Sequence, residues 1–144
     1  LKQDFVEVCY KWLEGTLTRL EFENRSSVVV YATPLSYGGY ATYTGPAKVD
    51  LSRAESLRKE FGDDLRIYPA SLELREDGCY ALRSRTVACV GLATDLQKAR
   101  RIAYQAVRLV DGPLRHREDI AHPEYIRRSI EHVRRLRAQA SKVS

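Results

Sequence analysis

Residues 65–107 read LRIYPASLELREDGCYALRSRTVACVGLATDLQKARRIAYQAV, and the apolar period changes partway along them. Residues 65–74 and 80–92 read as two extended segments. Between them stands Arg75-Glu76-Asp77-Gly78, whose Asp-Gly pair is a strong signal for a tight hairpin, so the two segments are expected to pair antiparallel. From Thr94 the apolar residues recur every three or four positions, at Leu96, Ala99, Ile102, Ala103, Ala106, Val107 and Val110. That spacing predicts an amphipathic helix, capped by Thr94 with Gln97 three residues on and stopped by Asp111-Gly112-Pro113. A hairpin leading into such a helix predicts a sheet with a helix laid on one face.

The flanking sequence extends this pattern. Residues 27–33 form a valine-rich run that Pro34 ends, as a buried strand would. Residues 34–46 hold Gly38, Gly39 and Gly45 with Tyr37, Tyr40 and Tyr43, and read as a loop. Residues 50–61 predict a short helix, with Ser52 and Glu55 at capping-box spacing and Gly62 closing it. At the start, residues 2–14 place Phe5, Val6, Cys9, Trp12 and Leu13 on one helical arc opposite Glu7, Lys11 and Glu14. At the end, Pro123 suits the first turn of a helix running to about Ala140, with Ile126, Ile130 and Val133 as its apolar stripe. The fold class expected is α+β: a mainly antiparallel sheet covered by helices on one side, around one core.

The chain has 144 residues, 44% of them hydrophobic and 30% charged, which excludes a disordered chain. No apolar run approaches the roughly 20 residues of a membrane-spanning helix. The absence of methionine leads to the expectation that the sequence is cut from something longer. Cys9, Cys79 and Cys89 have neither C-x-x-C spacing nor a paired framework, so they are expected to be reduced, buried thiols. No signal peptide pattern is visible, and a cytoplasmic location is expected.

Three clusters could carry chemistry. Tyr37-Gly38-Gly39-Tyr40 would let backbone approach a ligand and offer N–H groups to an anion, or it is a plain β-turn; it matches no nucleotide-binding fingerprint. Arg115-His116-Arg117-Glu118-Asp119 suits a carboxylate or phosphate through bidentate guanidinium contacts, or a salt-bridge knot that pins the connector. In the last helix, Arg127, Arg128, Arg134 and Arg135 gather away from the apolar stripe with Glu131 among them, as on a solvated face. Much of the net charge of +5 lies here, with eight basic against four acidic residues between positions 115 and 142. An Arg-rich helix leaves a nucleic-acid-binding module as the alternative, although only Tyr125 supplies an interleaved aromatic. His116, His122 and His132 share no metal-ligand spacing, and no serine or cysteine sits in a nucleophile elbow. A self-contained hydrolase or zinc enzyme is therefore not expected, and His122 is read as a helix-entry residue.

Taken in order, several motifs resemble the C-terminal region of one family. These are Asp4-Phe5-Val6-Glu7-Val8, Val28-Val29-Val30 leading to Gly38-Gly39-Tyr40, and Arg85-Thr86-Val87-Ala88-Cys89-Val90-Gly91-Leu92. They continue with the helix bearing Ala99, Ala103-Tyr104 and Ala106-Val107, then Arg117-Glu118-Asp119-Ile120. The family is glycinamide ribonucleotide synthetase, or phosphoribosylamine–glycine ligase, and the extension from Pro123-Glu124 to Leu136 is most similar to archaeal members.

The resemblance implies an ATP-grasp ligase of purine biosynthesis, which uses ATP and magnesium to join glycine to 5-phosphoribosylamine. The acidic metal-binding stretch, the nucleotide-clamping domains and the phosphoribosylamine-binding N-terminal domain of that family lie upstream of the helix at residues 2–14. The chain is accordingly expected to be a C-terminal piece that is inactive alone, with the upstream domains of the same polypeptide as its partners and neither nucleic acid nor membrane. The implied fold resembles the small barrel-sandwich hybrid-like domain of such ligases. Residues 1–24 would end the preceding ATP-grasp domain, 25–121 would form the C-terminal domain, and 122–144 a helical extension. Gly38, Gly39, Tyr40, Arg117 and Asp119 would touch substrate or the neighbouring domain. Two departures stand out: Ala41 follows Tyr40 where the family has proline, and Ala121 follows Ile120 where it has glycine.

Overall fold

The computed structural model describes residues 1–39, 45 and 47–140. In chain order they form helix α1 (Phe5–Leu13), strands β1 (Ser26–Pro34) and β2 (Lys48–Val49), and helices α2 (Ser52–Ser56) and α3 (Arg58–Phe61). Strands β3 (Leu65–Pro69), β4 (Leu72–Arg75), β5 (Gly78–Ala81) and β6 (Val87–Ala93) follow, then helix α4 (Leu96–Val107), strand β7 (Leu114–Arg115) and helix α5 (Pro123–Ala140). The strands make two sheets, one of four strands in the order β3-β6-β1-β7 and one of three in the order β2-β5-β4, and every pairing is antiparallel. The α+β architecture with antiparallel sheets and helices is as expected.

Alternation decides which face of the larger sheet is covered. In β1, Val28, Val30 and Ala32 are buried while Val29 and Tyr31 are exposed, because successive side chains point to opposite faces. Val30 pairs with Cys89 and Val28 with Gly91, so the buried face continues across β6. Helix α4 lies on that face and buries Ala99, Ile102, Ala103, Tyr104, Ala106 and Val107. These residues, with Ala54 below them and Leu65 and Ile67 of β3, make a single core.

Four expectations need correction. The segments 65–74 and 80–92 are not two long strands. Each breaks near its middle, so that β3 and β6 join the larger sheet while β4 and β5 form the predicted hairpin in the smaller one, closed at Arg75 opposite Gly78. The break follows Pro69, which has no N–H to donate to a ladder. Thr94 does not cap α4: Asp95 does, its carboxylate accepting from Lys98 N at 2.8 Å, a contact worth about 1 kcal/mol. The capping box at Ser52 is absent, since Asp50 Oδ1 takes the Ser52 N–H at 2.8 Å and Glu55 pairs with Arg58; the expected helix becomes the two short pieces α2 and α3. Of the three cysteines only Cys89 is buried, whereas Cys9 and Cys79 are half-buried.

Both terminal helices leave their apolar faces uncovered. In α1, Phe5, Trp12 and Leu13 are 69%, 72% and 78% exposed, and no residue of α5 is buried. No helix is long and apolar enough to cross a membrane among the described residues.

Candidate functional site

The face of the larger sheet that α4 leaves open carries a cleft of about 650 Å3, lined among others by Val29, Tyr31, Thr33, Tyr37, Arg85 and Arg115. Its floor is the outward set of β1, which the alternation described above keeps out of the core. Two separate stretches build its rim. The chain leaves β1 through a tight turn at Tyr37–Gly39 in which Gly38 and Gly39 take φ of 76° and 74°, a left-handed conformation that favours glycine. Gly39 N donates to Ser36 O at 3.2 Å. The other stretch begins at β7, where Thr33 pairs with Arg115. Arg115 Nη2 donates to the Tyr37 carbonyl at 2.7 Å, tying the glycine turn to the basic connector.

The connector 116–121 is held from the opposite side by α4. Gln97, Arg100, Tyr104 and Arg108 lie three or four residues apart, on one line along the helix. Gln97 Nε2 donates to Ala121 O at 3.3 Å. Arg100 donates through Nε to Ile120 O at 3.0 Å and through Nη2 to Glu118 O at 2.8 Å. The Tyr104 hydroxyl donates to Arg117 O at 2.8 Å and accepts from Ile120 N at 3.1 Å. Arg108 Nη2 meets Glu118 Oε2 at 2.7 Å, and His116 Nε2 lies 2.9 Å from Glu118 Oε1. Hydrogen bonds from Arg108 first, and then His116, hold the Glu118 carboxyl below the usual range. Burial pushes the Tyr104 phenol up, against the hydrogen bond from Ile120 and the nearby Arg100 charge, so it stays a neutral donor.

Arg117 and Asp119 adopt the salt-bridge alternative: the guanidinium grips the carboxylate in a fork at 2.8 and 2.5 Å and holds its pKa down. Arg117 still lines the cleft beside His116 and Ile120. The structure therefore brings Tyr37, at the start of the glycine turn, and the Arg115–Arg117 stretch to one cleft, although 78 residues separate Tyr37 from Arg115, whereas Gly38 and Gly39 sit beside that cleft without lining it. Tyr40 lies outside the described residues. The line Gln97, Arg100, Tyr104 and Arg108 went unnoticed in the sequence, although its polar members recur at helical spacing beside the apolar face. His122 enters α5 as expected, its carbonyl accepting from Ile126 N at 3.1 Å.

Ala121 is the one non-glycine residue with positive φ, 54°, among the described residues. Ala121→Gly is expected to raise the unfolding free energy by about 0.5 to 1 kcal/mol, since a left-handed alanine is strained. A thermal melt should show the midpoint rising by about 2 °C; a lower midpoint would mean that the methyl packing matters more than the strain.

The last helix behaves as a solvated face. Arg127 pairs with Glu131 at 2.9 Å and Arg128 with Glu124 at 2.5 Å, and the nucleic-acid alternative gains no support. Among the described residues no group of three His, Cys, Asp or Glu could hold a metal ion.

No family model matches the chain. Curated relatives align over nearly all of it. A phosphoribosylamine–glycine ligase of Methanocaldococcus jannaschii is 35% identical over 139 residues, which cover 95% of this chain and 30% of that protein. The enzyme of the same name from Thermococcus kodakarensis is 36% identical over 140 residues, 96% of this chain and 30% of the relative. That of Methanococcoides burtonii is 33% identical over 139 residues, again 95% and 30%. The resemblance drawn from the motifs is borne out, as is its leaning to archaeal members, and the chain spans 30% of the length of the relatives it matches.

Proposed function

We propose, on the premise that this chain is kin to the phosphoribosylamine–glycine ligases, that it is the C-terminal part of such an enzyme in the cytoplasm. The whole protein would join glycine to 5-phosphoribosylamine with hydrolysis of ATP to ADP and phosphate, giving glycinamide ribonucleotide. The observation that carries this reading is the match over 95% of the chain to proteins of that name, of which it makes up 30%. Residues 1–24 would close an upstream ATP-grasp domain, which agrees with the bare apolar face of α1. Residues 25–121 would form the C-terminal domain and 122–144 its extension. The two antiparallel sheets agree with a barrel-sandwich hybrid-like domain of this enzyme class.

The residues described here do not fit a magnesium site, because they offer no cluster of ligands. ATP and magnesium would be held by the upstream domains. This chain's share would be one wall of the substrate site. Val29 and Tyr31 supply an apolar floor, while Arg85, Arg115 and Arg117 give a cationic rim suited to an anionic substrate. Gly38 and Gly39 have no side chain, which would leave their backbone bare where a substrate or a neighbouring domain comes close. Arg117, braced by Asp119, would orient that group, and Tyr40 would be a further contact for it.

The test compares the longer polypeptide with this chain alone, each supplied with ATP, magnesium, glycine and phosphoribosylamine. Formation of glycinamide ribonucleotide by the longer protein and none by the chain is the expected result. Turnover by the chain alone would overturn its assignment as an incomplete part, and none by the longer protein would overturn the ligase reading.

A further inference from the structure

The cleft has a second layer of residues behind its rim, and one of them touches three of the six connector residues. Tyr104 belongs to the buried face of α4 and is 3% exposed. Its hydroxyl lies between Arg117 O and Ile120 N, and its ring meets the His116 ring edge-on with centroids 6.0 Å apart. His116, Arg117 and Ile120 are the three cleft-lining residues that follow β7. All three are thus anchored to one side chain on the far side of the chain from the cleft.

The Arg100 guanidinium sits 4.2 Å from the Tyr104 ring centroid while its fork holds the carbonyls of Glu118 and Ile120. A rigid helix thereby fixes a connector with little regular structure of its own, at a spacing set by one phenol.

Resting on the function proposed above, we infer that Tyr104 is a positioning residue for the substrate wall, with Arg100 as its support. Neither side chain lines the cleft. They act through the backbone of residues 117–120, which sets where the Arg117 guanidinium and the His116 ring present themselves to an anionic substrate. Removing the hydroxyl takes one partner from Arg117 O and Ile120 N, and the rim is then free to shift by a fraction of an ångström, which weakens its hold on an anionic substrate.

The experiment is Tyr104→Phe in the longer polypeptide, with steady-state kinetics for each substrate and circular dichroism at the assay temperature. The KM for phosphoribosylamine is expected to rise about tenfold, with kcat and the KM values for ATP and glycine within about twofold and the folded fraction unchanged. Equilibrium titration with glycinamide ribonucleotide should show the same weakening without turnover. Arg100→Lys, which keeps the charge but loses the two-carbonyl fork, should move the same KM in the same direction. It also carries the test if Tyr104→Phe does not fold.

Unchanged KM values in a variant that melts earlier would reduce Tyr104 to a structural brace and overturn the inference. So would a proportional loss in every parameter. If the unsubstituted protein neither makes nor binds glycinamide ribonucleotide, the ligase reading falls, and the inference with it; if it does both and the variants match it, only the positioning role falls.

Discussion

Gly91→Ala is expected to lower the unfolding free energy by about 3 kcal/mol or more, or to prevent folding. A Cβ built at this position would stand 2.0 Å from Ala99 O and 2.8 Å from Ala103 N. Both are backbone atoms of α4, so no rotamer change makes room. The helix must lift off the sheet, and lifting it opens the interface shared by Ala99, Ala103 and Ala106, all fully buried. Small residues on the helix and a glycine in the strand are two halves of one close approach. Urea titration followed by circular dichroism would measure the loss. A midpoint equal to that of the unsubstituted protein would show that α4 is not seated on β6 as described.

The second large effect is alkaline destabilisation through Cys89. Burial, reinforced by the charge of Glu55, pushes this thiol up to about 12. In the unfolded chain the thiol ionises near its ordinary value of about 8.5. Between those values the native state holds a proton that the unfolded state has released, so stability falls as pH rises. The slope is about 1.4 kcal/mol per pH unit across that window, and the effect vanishes below it. Comparing denaturant midpoints of the protein and its Cys89→Ala variant from pH 7 to 11 isolates this thiol from the lysines and tyrosines that titrate nearby. The gap between the two should narrow, or invert, as pH rises. A constant gap would mean that Cys89 ionises in place or is reached by solvent.

Local periodicity made much of the fold legible. The Asp-Gly turn located the β4–β5 hairpin, the spacing of Ala99, Ile102, Ala103 and Ala106 located α4, and Pro123 located the start of α5. What failed was local choice between near-equal neighbours. Asp95 outcompetes Thr94 because a carboxylate is the stronger acceptor and Gln97 is occupied by Ala121. Residues 65–74 looked continuous because composition does not reveal which sheet a strand will join. The site was legible in its parts only. Both the glycine turn and the basic cluster stood out, yet their meeting depends on β1 pairing with β7, a contact spanning most of the chain. Tyr104 was hidden in plain view: its ring fits the apolar face, and nothing in the spacing says what its hydroxyl reaches.

The alternation of β1 divides the labour of mutation as well as the labour of structure. Positions 28, 30 and 32 answer to the volume of the core, together with their partners at 87, 89 and 91 across the sheet. Positions 29 and 31 face the cleft instead, and Thr33 beside them also holds Arg115 O through its hydroxyl. A lineage carrying this fold can therefore revise its ligand preference on one side of a single strand while the other side stays under unbroken selection for folding. The two histories run interleaved, residue by residue, along nine positions of chain.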